Sequence, residues 1–339
     1  MSADALFLPS AKRMKTLSEG QRTRLAFLLH TVFNITDITF EILNSDNAKT
    51  SKKYLEATGL LESTTNNAQR FKNVQDIVEH LEKARLEKIS SNHTLPGKLV
   101  VSLTSYKARF NNLHLTLRSL LLQETQPDLL VLWIAEHEKN DIPDNVWELE
   151  QYGLTIRFCE DLRSYKKIIP TLEEHPDSFI VTADDDLYYK PDWLQQLVAS
   201  WDGHYKTITA HRAHKIRLDK KGNPAPYRSW KWQVGPEEAA DGLIVPTGCG
   251  GVMYPPRVFH EDVTKPELFM ELCADADDIW LYWMASLNGA MAKRSDYTFK
   301  VTEWPTKSDE GLWKKNIFQA GNDNATKKMQ NKYQPFFFK

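Results

Sequence analysis

Ile180-Val-Thr-Ala-Asp184-Asp185-Asp186-Leu-Tyr-Tyr189 carries an apolar run straight into three carboxylates. The run Ser178–Ala183 has the length and composition of a buried strand. In open α/β sheets, ligands gather outside the carboxyl ends of the strands. Three adjacent carboxylates repel one another, so that position suggests a cation. Hard oxygen donors suit Mg²⁺ or Mn²⁺, ions that also hold a diphosphate. A solvated turn is the plainer alternative, because aspartates favour turns.

Upstream, the same texture repeats. Leu99-Val-Val-Ser-Leu103, Leu129–Ile134 and Leu154–Phe158 read as further apolar strands. Between the first two, Leu113, Leu117, Leu120 and Leu121 share one helical face, and Lys166–Glu173 also reads as helical. Thr207–Ala210 is the next strand downstream. Strands alternating with helices predict an α/β domain with a largely parallel sheet. From Tyr227 to Pro256, frequent Trp, Gly and Pro predict loops, short strands and an acceptor-shaped pocket.

Before Lys98 the pattern differs. Leu25, Leu28, Val32, Ile35 and Ile42 recur near helical spacing, as do Phe71, Val74, Val78 and Leu81. The stretch Ser90–Gly97 reads as a linker. These signals divide the chain into a smaller helical region, 1–95, and an α/β domain, 96–339.

Four further features bear on chemistry. In Cys273-Ala-Asp275-Ala-Asp277-Asp278-Ile-Trp-Leu-Tyr-Trp283 an acidic pair opens a helix-like run. Asp277 and Asp278 serve either as helix-capping charges or as a general base at a pocket mouth. In Pro246-Thr-Gly248-Cys-Gly250-Gly251-Val-Met-Tyr-Pro-Pro256, Gly250 and Gly251 allow close backbone approach to a ligand, or make a structural turn. The Gly-Lys-Ser/Thr ending of a Walker phosphate loop is missing. Lys166-Lys167 precede the aspartate strand and His211-Arg212 follow the next strand, Thr207–Ala210, with Lys167 and Arg212 able to neutralise a pyrophosphate leaving group or to stand as solvated cations. Trp230 and Trp232 offer faces for sugar stacking or for core packing.

Composition narrows the field. Lys+Arg is 43 and Asp+Glu is 45, a balance that argues against a strongly basic nucleic-acid binder. The balance is uneven: residues 1–95 carry +2, 96–310 carry −9 and 311–339 carry +5. Three cysteines without short spacing suggest neither a disulfide framework nor a zinc knuckle, which fits a reducing cytoplasm. No secretory signal is visible, and the longest uncharged apolar run, Leu25 to Thr36, is too short to span a bilayer.

Val100-Val-Ser-Leu-Thr-Ser-Tyr-Lys-Ala-Arg109-Phe, the Tyr165-Lys-Lys-Ile-Ile-Pro170 helix, Thr182-Ala-Asp-Asp-Asp186, Gly250-Gly-Val-Met-Tyr-Pro-Pro256, Asp277-Asp278-Ile-Trp and Gly321-Asn-Asp323 together resemble bacterial glycosyltransferases of the GT-A fold. The likeness is to the family 2-like enzymes of surface-polysaccharide (lipopolysaccharide or capsule) synthesis, over roughly residues 98–325. It implies a Rossmann-like, largely parallel domain using a nucleotide-sugar donor. Asp184 and Asp186 would fall on the metal-binding aspartates, and Asp185 on a contact to donor ribose or sugar. Thr104 and Arg109 would lie where the nucleotide docks. Asp278, with Asp277 beside it, would fall on the base that deprotonates the acceptor hydroxyl in inverting members. The family's pair is often Glu-Asp, and no C-terminal His completes the metal shell; Asn322 or Asp323 is the candidate in its place.

The resulting expectation is a cytoplasmic, Mn²⁺- or Mg²⁺-dependent glycosyltransferase acting from a UDP-linked sugar on a glycan or glycolipid acceptor. Residues 1–95 would contact a protein partner or the inner membrane surface, Arg22 and Arg24 beside Leu25–Phe33 allowing the latter. Two alternatives are a haloacid-dehalogenase-type phosphohydrolase and a non-catalytic glycosyltransferase-like scaffold. The first wants its aspartates on the opening strand of the domain and Thr or Val where Tyr188 stands.

Overall fold

The computed structural model describes residues 18, 21–22, 24–25, 73–238, 242–304 and 321–333. The chain divides into two compact units, 1–79 and 80–339. In the first, residues 21–22, 24–25 and 73–79 are helical; most of the helices expected before residue 73 lie outside the described residues.

The second unit is built on a seven-stranded sheet of order β3-β2-β1-β4-β8-β5-β9. Its strands are β1 (Leu99–Thr104), β2 (Leu129–Ala135), β3 (Leu154–Cys159), β4 (Phe179–Thr182), β5 (Thr207–Ala210), β8 (Val252–Tyr254) and β9 (Met291–Arg294). Strands β3, β2, β1 and β4 pair in parallel, β8 runs antiparallel to both β4 and β5, and β5 pairs in parallel with β9. A separate ribbon joins β6 (Ala213–Lys215) to β7 (Ile244–Pro246). The fold is the expected α/β class with a largely parallel sheet.

Helix α1 (Phe110–Leu121) covers one face, burying the anticipated Leu113, Leu117, Leu120 and Leu121. These apolar positions recur every three to four residues, as a core-facing helix requires. They join Leu99, Val101 and Leu103 of β1 and Leu130, Leu132 and Ile134 of β2 in one apolar cluster. A second cluster gathers Ile208, Val245 and Val252 with Phe269 of α2 (Pro266–Cys273), Trp280 and Trp283 of α3 (Asp277–Leu287), and Met329 of α4 (Gly321–Tyr333).

Three details position the site. Residues 84–98 contain neither helix nor strand but are bonded into the second unit, Ile89 N–H to Tyr152 O at 3.0 Å and His93 to Asp128 at 2.8 Å. The Lys166–Glu173 segment is a 3-10 turn (Arg163–Lys167) followed by the short helix Ile169–Glu174. The strand β8 comes from the glycine-rich segment and sits in mid-sheet, its three residues all buried.

Candidate functional site

The ends of β1 and β4 lie side by side, Ser102 paired with Thr182, so the residues that follow each strand meet. Ala183 N–H extends the ladder to Ser102 O at 3.0 Å, and the aspartate triplet leaves the sheet immediately afterwards. Helix α1 holds the departing loop. Thr116 Oγ1 lies 2.9 Å from Asp185 O and 3.0 Å from Leu187 O, and it accepts Trp304 Nε1–H at 2.7 Å. Gln123, buried, donates to Lys190 O at 2.8 Å and accepts from Leu194 N–H at 2.9 Å. Tyr189 closes the turn, its phenol oxygen accepting Asp184 N–H at 2.8 Å.

Each carboxylate of the triplet has a different environment. Asp185 is buried and takes Ser105 Oγ–H at 2.5 Å and Arg109 at 2.7 Å. Asp186 faces the same guanidinium at 2.9 Å. Asp184 accepts from Lys167 Nζ at 3.0 Å. Lys167, itself buried, is also 3.0 Å from Asp277 Oδ2, so one ammonium ties together aspartates from two separate stretches of the sequence. Asp278 completes the group by accepting Gly248 N–H at 3.0 Å. Asp277 and Asp278 occupy the first turn of α3, with Asp278 turned to the Gly248 loop.

The cluster is electrostatically unbalanced. Five carboxylates face two cations, Lys167 and Arg109, and like charges at short range disfavour joint ionisation. Burial, then the Asp185 charge, pushes the Asp186 carboxyl up to about 7. Burial, then Asp277, pushes Asp278 up to about 7, against the pull of Lys167 and the Gly248 N–H. Burial also raises Asp185, with Arg109 and Ser105 opposing. Burial works against the Lys167 ammonium, yet Asp184, Asp277 and Asp278 hold it well above its ordinary value. Arg109 is likewise held above its usual value by Asp185 and Asp186 despite burial.

The other expected site residues fall as follows. Thr104 donates its hydroxyl to Trp133 O at 2.8 Å, on β2. Arg212 bonds Thr247 Oγ1 at 2.9 Å and lies 3.4 Å from Cys249 Sγ, while its buried Nε has no hydrogen-bond partner among the described residues. Gly250 and Gly251 are packed against protein: a Cβ on Gly250 would lie 2.7 Å from Arg212 Cβ, and one on Gly251 would lie 2.4 Å from Trp193 Cζ2. They match the structural-turn alternative, with Trp193 Nε1 donating to Gly250 O at 2.8 Å. Asp323 accepts Tyr227 N–H at 2.6 Å. Asn322 bonds the phenol of the same tyrosine.

Gly248 is the glycine that sequence reasoning passed over. A Cβ there would lie 3.0 Å from Lys167 Nζ, 3.3 Å from Asp278 Oδ1 and 3.7 Å from Asp184 Oδ1. The backbone at Gly248 therefore forms the floor where both aspartate clusters converge. Ser105, inside the quoted 100–110 segment, and Thr116 and Gln123, outside every motif, were also missed; their work is to hold Asp185 and the loop behind it.

Among the described residues, no group of three or more His, Cys, Asp or Glu is arranged to hold a metal ion. The donor set still suits one. Mg²⁺-type ions are commonly held by one or two carboxylates with substrate phosphates completing the shell. Asp184 and Asp186 supply two partly exposed carboxylates beside an uncompensated negative charge.

No family model matches the chain, and no curated protein does. Solved structures similar to it include S. aureus TarS 1–349, at 15% identity over 69% of this chain and 66% of that one, TM-score 0.41. Others are the mannosyltransferase PcManGT from Pyrobaculum calidifontis in complex with GDP-Man and Mn²⁺ (14%, 77% and 71%, TM-score 0.40) and the inositol-1-phosphate CTP transferase from T. maritima (10%, 70% and 98%, TM-score 0.39). Among the described residues, no helix is long and apolar enough to cross a membrane.

Proposed function

We propose that this chain is a metal-dependent glycosyltransferase that moves a sugar from a nucleotide-sugar, UDP-linked, to a hydroxyl of a glycan or glycolipid. The observation that carries the reading is the double ion pair of Lys167 with Asp184 and Asp277. It puts the aspartates after β4 and the acidic pair of α3 around one small space at the carboxyl end of the sheet, where α/β folds take ligands.

Asp184 and Asp186 would hold Mn²⁺ or Mg²⁺, which when bound acts as a Lewis acid toward the departing diphosphate. Arg109 fixes Asp185 and Asp186 relative to each other, and Ser105 keeps Asp185 oriented. Arg212, whose guanidinium bonds Thr247 beside the Gly248 loop, would be the cation that meets a phosphate oxygen. Asp278 takes the acceptor proton as the hydroxyl oxygen bonds to the anomeric carbon and the bond to the diphosphate breaks. A carboxyl held near 7 is matched to that task, since a general base works best with a pKa close to the operating pH. The Asp323 carboxylate braces Tyr227 in this scheme, leaving the metal to Asp184 and Asp186. The phosphohydrolase alternative wants its aspartates on the opening strand of the domain, whereas here they follow β4.

Asp278→Asn tests the base assignment. Transfer is expected to fall by about 10²–10⁴-fold while donor binding persists. Near-wild-type turnover with donor bound would overturn it.

A further inference from the structure

The Tyr227–Gln233 segment builds an aromatic platform that the roles above leave unused. Tyr227 and Trp230 are buried, their rings 4.7 Å apart, while Trp232 is 37% exposed. The Trp232 ring stacks on the buried His214 ring at 4.9 Å and 27°, and it meets Tyr227 edge-on at 5.5 Å. One indole face is therefore covered by His214. Several contacts hold the platform in place. Trp232 Nε1–H lies 3.4 Å from Tyr227 O, Gln233 N–H donates to His214 Nδ1 at 3.0 Å, and Lys215 and Lys231 bridge the two sides of the excursion. Gln233 itself stands at φ +50°, a conformation that non-glycine residues adopt only when their surroundings impose it.

The platform is joined to the site through one ring. Tyr227 touches Trp232, and its phenol, bonded by Asn322, lies within the field of the Asp278 carboxylate. A partly exposed indole held in that position is apolar surface of the kind that the C–H face of a pyranose covers. Burying such a ring contributes without a large loss of side-chain entropy, because the ring is already held.

We propose that Trp232, backed by His214 and Tyr227, is the stacking subsite for a saccharide unit of the acceptor. The proposal rests on the glycosyl-transfer reading for the acceptor's role, but saccharide binding at Trp232 is measurable without turnover. The experiment titrates the full chain, as wild type, Trp232→Ala and Trp232→Phe, with chito-, malto- and manno-oligosaccharides by calorimetry. UDP titrations and acceptor-free UDP-sugar hydrolysis run in parallel. At least one oligosaccharide is expected to bind wild type, to bind Trp232→Ala about tenfold or more weakly, and to recover in Trp232→Phe, with UDP affinity unchanged. If the same saccharide also accepts sugar, its KM rises in Trp232→Ala while the donor KM does not. Equal saccharide binding by wild type and Trp232→Ala, no binding by any of the three series, or a loss confined to UDP overturns the proposal. Trp232-dependent saccharide binding without donor hydrolysis would leave it standing and sink the catalytic reading instead.

Discussion

Two glycines three residues apart separate chemistry from architecture. A methyl group at Gly248 meets Lys167, Asp278 and Asp184, while one at Gly251 meets Trp193 with the backbone at φ +94°. Gly251→Ala is expected to destabilise the fold by about 3 kcal/mol through strain and overpacking, seen as a lowered urea midpoint. Gly248→Ala is expected to keep that midpoint within experimental error and to lose transfer activity, because the flexible end of Lys167 yields but the floor of the site fills. The reverse pattern would contradict both placements. Asp278 sets the pH profile of the same reaction. The base must be ionised, so kcat/KM is expected to rise with pH through about 7 and level off above it, as read from initial rates between pH 5 and 9. A rate independent of pH over that range would count against Asp278.

At the level of elements, the 3-10 turn Arg163–Lys167 delivers a cation between two strand-end and helix-start carboxylates. Lys167 depresses Asp278, so removing it has a signed consequence. Lys167→Met is expected to shift the rising limb of the pH profile to higher pH, and an unmoved limb would show that the ammonium does not act on the base. The sequence was informative where elements are long or strongly apolar: β1, β2, β3, β4 and α1 were legible from hydrophobic runs and helical spacing, and the aspartate triplet from its position after one of them. The mid-sheet strand β8 was legible only as one of the short strands expected between Tyr227 and Pro256, not by its place in the sheet. Val252-Met-Tyr254 is three residues between Gly251 and Pro255, too short for a period to register, and its strand character comes from β4 and β5 on either side. Gly248 was hidden for a related reason: three glycines in one turn look alike until Trp193 and Arg212 claim two of them.

Across the whole molecule, two sets of buried groups respond to acid in opposite senses. Burial holds His211 and His214 down to about 4, against 6.5 when unfolded, so the unfolded chain takes up protons first and stability falls as pH drops from 6.5 towards 4. Asp186 and Asp278, raised to about 7 from 3.8, take up protons first in the folded chain and gain stability over the same interval. The two slopes offset each other. The double variant Asp186→Asn, Asp278→Asn is expected to unmask the histidines and to lose up to about 3 kcal/mol per histidine on acidification, seen as a falling urea midpoint between pH 7 and 4.5. A midpoint that stays level would contradict the histidine assignment. The buried carboxylates on one side of this balance also underlie the functional reading. The most direct test is UDP or GDP release from a panel of nucleotide-sugars with Mn²⁺, with Mg²⁺ and with EDTA. Metal-dependent release from one donor, abolished by EDTA and by Asp184→Asn, is the expected result; no release and no nucleotide binding across the panel would contradict the account.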